Sequence, residues 1–251
     1  MSTTDLDEAV KQIRDQVIEW KKMPDEINDT FDKLKVLSFA LWWKLTDERD
    51  KANEHIQKLL DKLDEIMDGI DAPYLFIGYA ADWQTVAGTI RGAKNTQNQA
   101  TFILDGHWTG DAQLRYAASR TLQDTAMGTT QEMAEKVHEQ LLKLAESGRN
   151  LYKAVVDAIG EFLTNIGSAL VQIMGLVTAI EGASLMVDAA FSALDSANKL
   201  YTLAFNEIQG HKIAANELIN LTDNPNGLPN NQWPVSVSTT FEDPKLWKQT
   251  E

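Results

Sequence analysis

Apolar residues recur along most of this chain at alternating spacings of four and three, the period of helices with one buried face. Leu6, Val10, Ile13, Val17 and Trp20 form the first seam, with Asp, Glu, Lys and Arg on the other sides and Thr4 placed to cap its start. Pro24 either interrupts the pattern or takes an early position in a second helix, whose seam runs through Ile27, Phe31, Leu34, Leu37, Leu41 and Leu45. Residues 36–45, which include Phe39, Trp42 and Trp43, are apolar on more than one face, so neighbouring helices or a partner must cover them. Ile56, Leu59, Leu60, Leu63, Ile66, Met67 and Ile70 carry the period to a turn over 69–73. Residues 46–50 are the natural corner within this stretch unless the helix continues through them.

A third helix is expected over 81–104, weakened by Gly88 and Gly92. A long fourth pattern uses Leu114, Leu122, Met133, Val137, Leu141 and Leu144, with Gly148 as the expected interruption before Leu151 and Val155. Helical character resumes beyond Glu181 and lasts to about Leu221, after which Asn, Gly and Pro dominate. Helices joined by tight corners cannot hide their apolar stripes alone, so the pattern predicts an all-α fold, an elongated antiparallel helical bundle. Its expected parts are an N-terminal hairpin over 1–73, a second hairpin with long C-terminal helices over 74–222 packed with the first as one bundle, and an irregular tail over 223–251, pinned by Trp233 or Trp247.

Charge narrows the partners. A formal net charge of −14 over 251 residues, with no run of Lys or Arg, argues against nucleic acid and against anionic lipid surfaces. The absence of cysteine removes disulfides, thiolate metal sites and cysteine nucleophiles together. The acidic, amphipathic N-terminus lacks the basic segment and apolar run of a cleavable leader, so any export is expected to bypass the general route.

Between the third and fourth patterns stands Asp105-Gly106-His107-Trp108-Thr109-Gly110-Asp111, followed by Ala112 and Tyr116 on one helical face. Two glycines and a cap candidate in so short a break mark a helical hairpin, which an indole can close at its end. The arrangement Trp108-x-Gly110-x-Ala112-x-x-x-Tyr116 resembles the WXG-type proteins of type VII (ESX) secretion found in Gram-positive, above all actinobacterial, organisms. The resemblance is specific near residues 83–155. It implies a non-enzymatic secretion substrate or secretion-associated structural protein, exported without a cleaved leader and acting on a protein partner or the secretion machinery, with homo- or hetero-oligomers in prospect. It also implies that the N-terminal region supplies in cis the second hairpin that other members take from a separate chain. Members or their partners carry Tyr-x-x-x-Asp/Glu as an export signal. Four residues beyond Tyr74, Tyr79, Tyr116, Tyr152 and Tyr201 stand Gly78, Trp83, Arg120, Val156 and Phe205, so a partner would have to supply it.

Residues 162–180 contain no charge and approach the length of a membrane span, which makes a pore-forming type of effector the rival reading. On a continuous helix Ile166, Leu170, Ile173, Val177 and Ile180 would share one face and Asn165, Ser168 and Gln172 another, a polarity better suited to a soluble bundle than to lipid. Gly160, Gly167, Gly175 and Gly182 would fall on a strip within ~80°, suited to close helix packing or to rearrangement. Glu135-x-x-His138 has the spacing of a di-iron ligand pair, but no second pair exists, because Ala52, Leu104 and Ile208 precede the other histidines at that spacing. No metal, cofactor or catalytic residue is therefore assigned. Trp42 and Trp43 are the expected interhelix or partner contacts.

Overall fold

The computed structural model describes residues 3–99, 109–223 and 225–234, and the chain is an all-α helical bundle with no strand among them. The helices are α1 (Thr3–Trp20), α2 (Met23–Leu37), α3 (Phe39–Asp68), α4 (Ala72–Gln97), α5 (Asp111–Met174) and α6 (Ala179–Thr222), followed by a 3₁₀ turn at Pro229–Asn231. Two compact units are present. Unit 1 comprises Met1–Phe76 and Lys143–Gly210, and unit 2 comprises Ile77–Leu142 and His211–Glu251. α1, α2 and α3 share unit 1 with the second half of α5 and the first part of α6.

Local chemistry explains each boundary. Only residues 21 and 22 leave the helix between α1 and α2, and Pro24 sits in the first turn of α2, where its missing N–H has no helical acceptor to lose. The expected seam across 27–45 is instead broken at Ser38. Its extended backbone ends α2 by donating to the Leu34 carbonyl (2.7 Å), and its Oγ accepts from the Leu41 amide (3.4 Å) to start α3. α3 then runs without a corner through 46–50, where the Thr46 hydroxyl bonds back to the Trp42 carbonyl (2.9 Å). α4 begins earlier than expected, at Ala72, because Pro73 serves as an early helical residue rather than a stop.

The expected interruption at Gly148 is absent, and α5 continues for 64 residues. Gly148 marks a close approach: a Cβ there would lie 2.6 Å from Cγ of Pro73. The real break comes at 175–178, within the stretch expected to be apolar and continuous. Leu176 has φ +53°, the Gly175 amide donates to the Gln172 carbonyl (3.0 Å), and the Thr178 hydroxyl covers the same carbonyl (2.8 Å).

The core of unit 1 holds Leu6, Ile13, Trp20, Ile27, Phe31 and Leu34 from the first two helices and Ile56, Leu59, Phe162, Ile166 and Ile173 from α3 and α5, all essentially without exposure. Each large side chain buried this way contributes about 1.5–3 kcal/mol. Trp20 stacks on Phe162 with ring centroids 4.5 Å apart. At the far end of α3, the Tyr152 hydroxyl donates to the Gly69 carbonyl (2.9 Å), which also accepts from the Ala72 amide (3.0 Å).

Burial, with a smaller effect from the Asp71 charge, pushes the Tyr152 phenol from 10.0 up to about 12. Burial and its bond to Asp7 do the same for Tyr74, which is also raised to about 12. The unfolded phenols ionise first, so the stability tied to this shift is complete below pH 10.0 and is lost as the pH climbs to about 12. Tyr152→Phe is expected to cost about 1 kcal/mol at neutral pH and to flatten the alkaline fall in urea-measured stability. An unchanged alkaline limb would remove Tyr152 as one of its sources.

Candidate partner-binding face

In unit 2, α4 and the first part of α5 run antiparallel. Arg120 Nη2 donates to the Gln97 carbonyl (2.7 Å) and to Asn98 Oδ1 (3.1 Å), and Gln97 Nε2 donates to the Arg120 carbonyl (3.2 Å). Asn98 Nδ2 and Lys94 both meet the Asp124 carboxylate (2.9 and 3.5 Å). Further along, Arg91 pairs with Glu135, and His138 Nδ1 lies 2.8 Å from the Ala80 carbonyl, to which its N–H donates. Bonds from Gln131 and Arg91 hold the Glu135 carboxyl below the usual range. Glu135 and His138 are thus committed to the packing of α4 on α5, and no cluster of potential metal ligands occurs among the described residues.

The interior of this unit is built from small side chains. Among the described residues of this unit, Ala80, Ala87, Ala126 and Ala134 are buried together with Met127. Several large apolar side chains are exposed, Tyr79, Trp83 and Val86 on α4, Leu114 and Leu122 on α5, and Ile213 and Ile219 on α6, while Ile90, Met133, Val137 and Leu141 are half-buried. Tyr79, Trp83 and Val86 follow the spacing of four and three and share one helix face. Residues 81–86 are all exposed, so no described element covers that face.

The segment after α6 packs against α5. Gly227 has φ +78°, and a Cβ there would come within 2.7 Å of the Ala126 amide nitrogen, so glycine is required both by conformation and by space. Pro234 is buried while Trp233 is about half exposed (51%). The anchor of the expected tail is therefore the Gly227 turn and Pro234, and Trp247 lies outside the described residues.

Of the Trp-x-Gly constellation, Trp108 lies outside the described residues. Gly110 has φ +106°, a conformation that favours glycine, and its carbonyl accepts from the Leu114 amide (3.2 Å) to open α5. Ala112 belongs to the first turn of α5, and Tyr116 is half-buried on the same helix beside Ala117 and Arg120, lining a shallow polar cleft.

The other expected site residues all fall in unit 1. Trp42 is half-buried under the Lys35 ammonium, 4.5 Å from its ring centroid, and Trp43 is 72% exposed. Ile166 and Ile173 are buried and Leu170 is half-buried, whereas Val177 is 94% exposed. The single face drawn from Ile166 to Ile180 and the single strip of four glycines both required one continuous helix, and the corner at 175–178 divides them. Gly167 faces open space and Gly160 makes an ordinary contact with Gln16. Gly182 is the tight position: a Cβ would lie 2.7 Å from the Ile173 nitrogen and 2.9 Å from the Ala169 carbonyl oxygen. Sequence reasoning missed the outward stripe of α4, although the Tyr79, Trp83 and Val86 spacing was visible. No known protein family, curated protein or solved structure matches the chain.

Proposed function

We propose that this protein is non-enzymatic and acts by helix-face recognition, as a substrate or secretion-associated structural component of a type VII (ESX) system. The observation that carries this reading is the stripe of Tyr79, Trp83 and Val86 exposed on one face of α4, in a unit whose most buried residues are mostly alanines. Aromatic side chains in such a stripe fit the apolar seam of a partner helix, the arrangement by which helical bundles are completed. The Trp108, Gly110, Ala112 and Tyr116 constellation supports the assignment to secretion, and the positive φ of Gly110 fits the glycine of such a motif.

The test is export. In the source organism the chain is expected in the culture filtrate or at the cell surface, and to remain inside when the type VII ATPase is deleted. Retention in both strains, or export that ignores the ATPase, would overturn the assignment. Trp83→Gln, which removes the partly exposed indole (40%) without adding a charge, is expected to abolish export or complex formation while lowering the thermal midpoint by only a few degrees.

A further inference from the structure

We infer that Asn226 is a site of self-catalysed deamidation, and that its conversion to isoaspartate releases the segment after α6 from its seat on α5. The inference goes beyond helix-face recognition and does not rest on it.

Asn226-Gly227 is the one Asn-Gly pair in the sequence. In such a pair the backbone nitrogen of the second residue can close a five-membered ring on the side-chain carbonyl carbon of the first, and glycine, with no Cβ, hinders that approach least. Burial of the side chain, or a hydrogen bond on either group, would hold them apart. Neither is present. Asn226 is exposed, and among the described residues its side chain and the Gly227 N–H make no hydrogen bond. What opposes closure is the turn itself, in which the Leu228 amide donates to the Pro225 carbonyl (3.0 Å) and Gly227 stands third with φ +78°, the pattern of a type II turn.

The reaction balances with water as the one co-reactant. The Gly227 nitrogen gives up its proton to solvent, attacks Cγ of Asn226 and expels the side-chain nitrogen as ammonia, which leaves a succinimide. Water then opens the ring. Opening at the side-chain carbonyl gives aspartate, and opening at the main-chain carbonyl gives isoaspartate, whose backbone runs through Cβ. Either product exchanges a neutral amide for a carboxylate, with no oxidation or reduction.

The position of the turn gives this chemistry its effect. Gly227 is where the segment lies closest to α5: a Cβ there would come within 2.7 Å of the Ala126 nitrogen and 2.9 Å of Cγ2 of Thr125. Further along, Pro234 is buried. Isoaspartate at 226 adds one atom to the backbone inside the turn, so the bond from Leu228 to Pro225 and the close seat of Gly227 cannot both persist. Charge works in the same direction. The cleft beside Asn226 is lined by Glu132 and Asp223, and its Lys136 is already bound to Glu132 (2.8 Å), so the new carboxylate meets like charges. Residues 225–234 therefore leave α5 as the chain ages, and the change runs one way.

The test is to incubate the full chain at physiological temperature and mildly alkaline pH, beside a sample in urea, and to map conversion by mass spectrometry of its peptides. Asn226 is expected to gain about 1 Da, as a mixture of aspartate and isoaspartate. The rate should lie within about tenfold of that in urea, because one turn hydrogen bond has to open. In the converted fraction, hydrogen exchange at the Leu228 amide should accelerate about tenfold or more. Asn226→Gln, which would have to close a six-membered ring, should gain no mass at that residue and keep its exchange rate over the same period. Its thermal midpoint should match the parent's, since the side chain at 226 is exposed and unbonded. An Asn226 that stays intact while the urea sample converts, faster conversion at Asn216, Asn220 or Asn230, conversion that leaves the Leu228 amide as protected as before, or equal acceleration in Asn226→Gln would each overturn the proposal.

Discussion

Phe162→Ala is expected to lower the stability of unit 1 by about 3–5 kcal/mol, the cost of removing a fully buried aromatic ring and leaving a cavity. The ring is 2% exposed and stacks on Trp20, itself 1% exposed, so the indole loses its face contact at the same time. Val171→Ala, nine residues further along α5 and exposed, should change stability by less than about 0.5 kcal/mol. Urea titration of both variants checks the contrast. Comparable losses would mean that the buried face of α5 has been placed wrongly. Withdrawing Phe162, Ile166 and Ile173 into a bilayer would forfeit several such contributions, which weighs against insertion of this segment.

Gly182→Ala should destabilise by about 2 kcal/mol, and Gly167→Ala should stabilise by up to about 1 kcal/mol. Alanine is the better helix former at both positions, which favours the substitution equally. At Gly182 that gain is overwhelmed, because the added methyl meets the Ile173 nitrogen and the Ala169 carbonyl, backbone atoms that cannot turn aside. At Gly167 nothing lies within 4 Å. In a chain of this size the pair should differ by roughly 6–12 °C in thermal midpoint, one below the parent and one above. Changes of the same sign would show that α5 and α6 do not approach each other as closely as described.

The helical class was legible because the buried seams recur at helical spacing over long stretches: Leu6, Ile13, Val17 and Trp20 on α1, and Ile56, Leu59 and Leu63 on α3, are all buried as the period requires. Corners were less legible. Gly148 and Gly175 look alike in the sequence, since a glycine that permits close packing and a glycine that follows the end of a helix share the same residue type. Ser38 carries a recognisable cap, but the apolar residues on both sides continued a plausible seam through it. The break at 175–178 has a leucine at its turn of the backbone, so residue preference pointed away from it. The outward stripe of α4 could not be separated from a core stripe by period alone. Which neighbours exist to cover a face is decided by residues distant in sequence.

Gly148 against Pro73 has a topological consequence. α4 leaves unit 1 after Phe76 and α5 re-enters it at Lys143, at neighbouring positions on two antiparallel helices, so residues 77–142 form an insertion whose two ends meet. A chain that joins Phe76 to Lys143 through a short turn and stops after Gly210 should still fold, because the contacts that define unit 1 all lie within what is kept. Gene surgery could then assign any partner contact to its own part of the polypeptide.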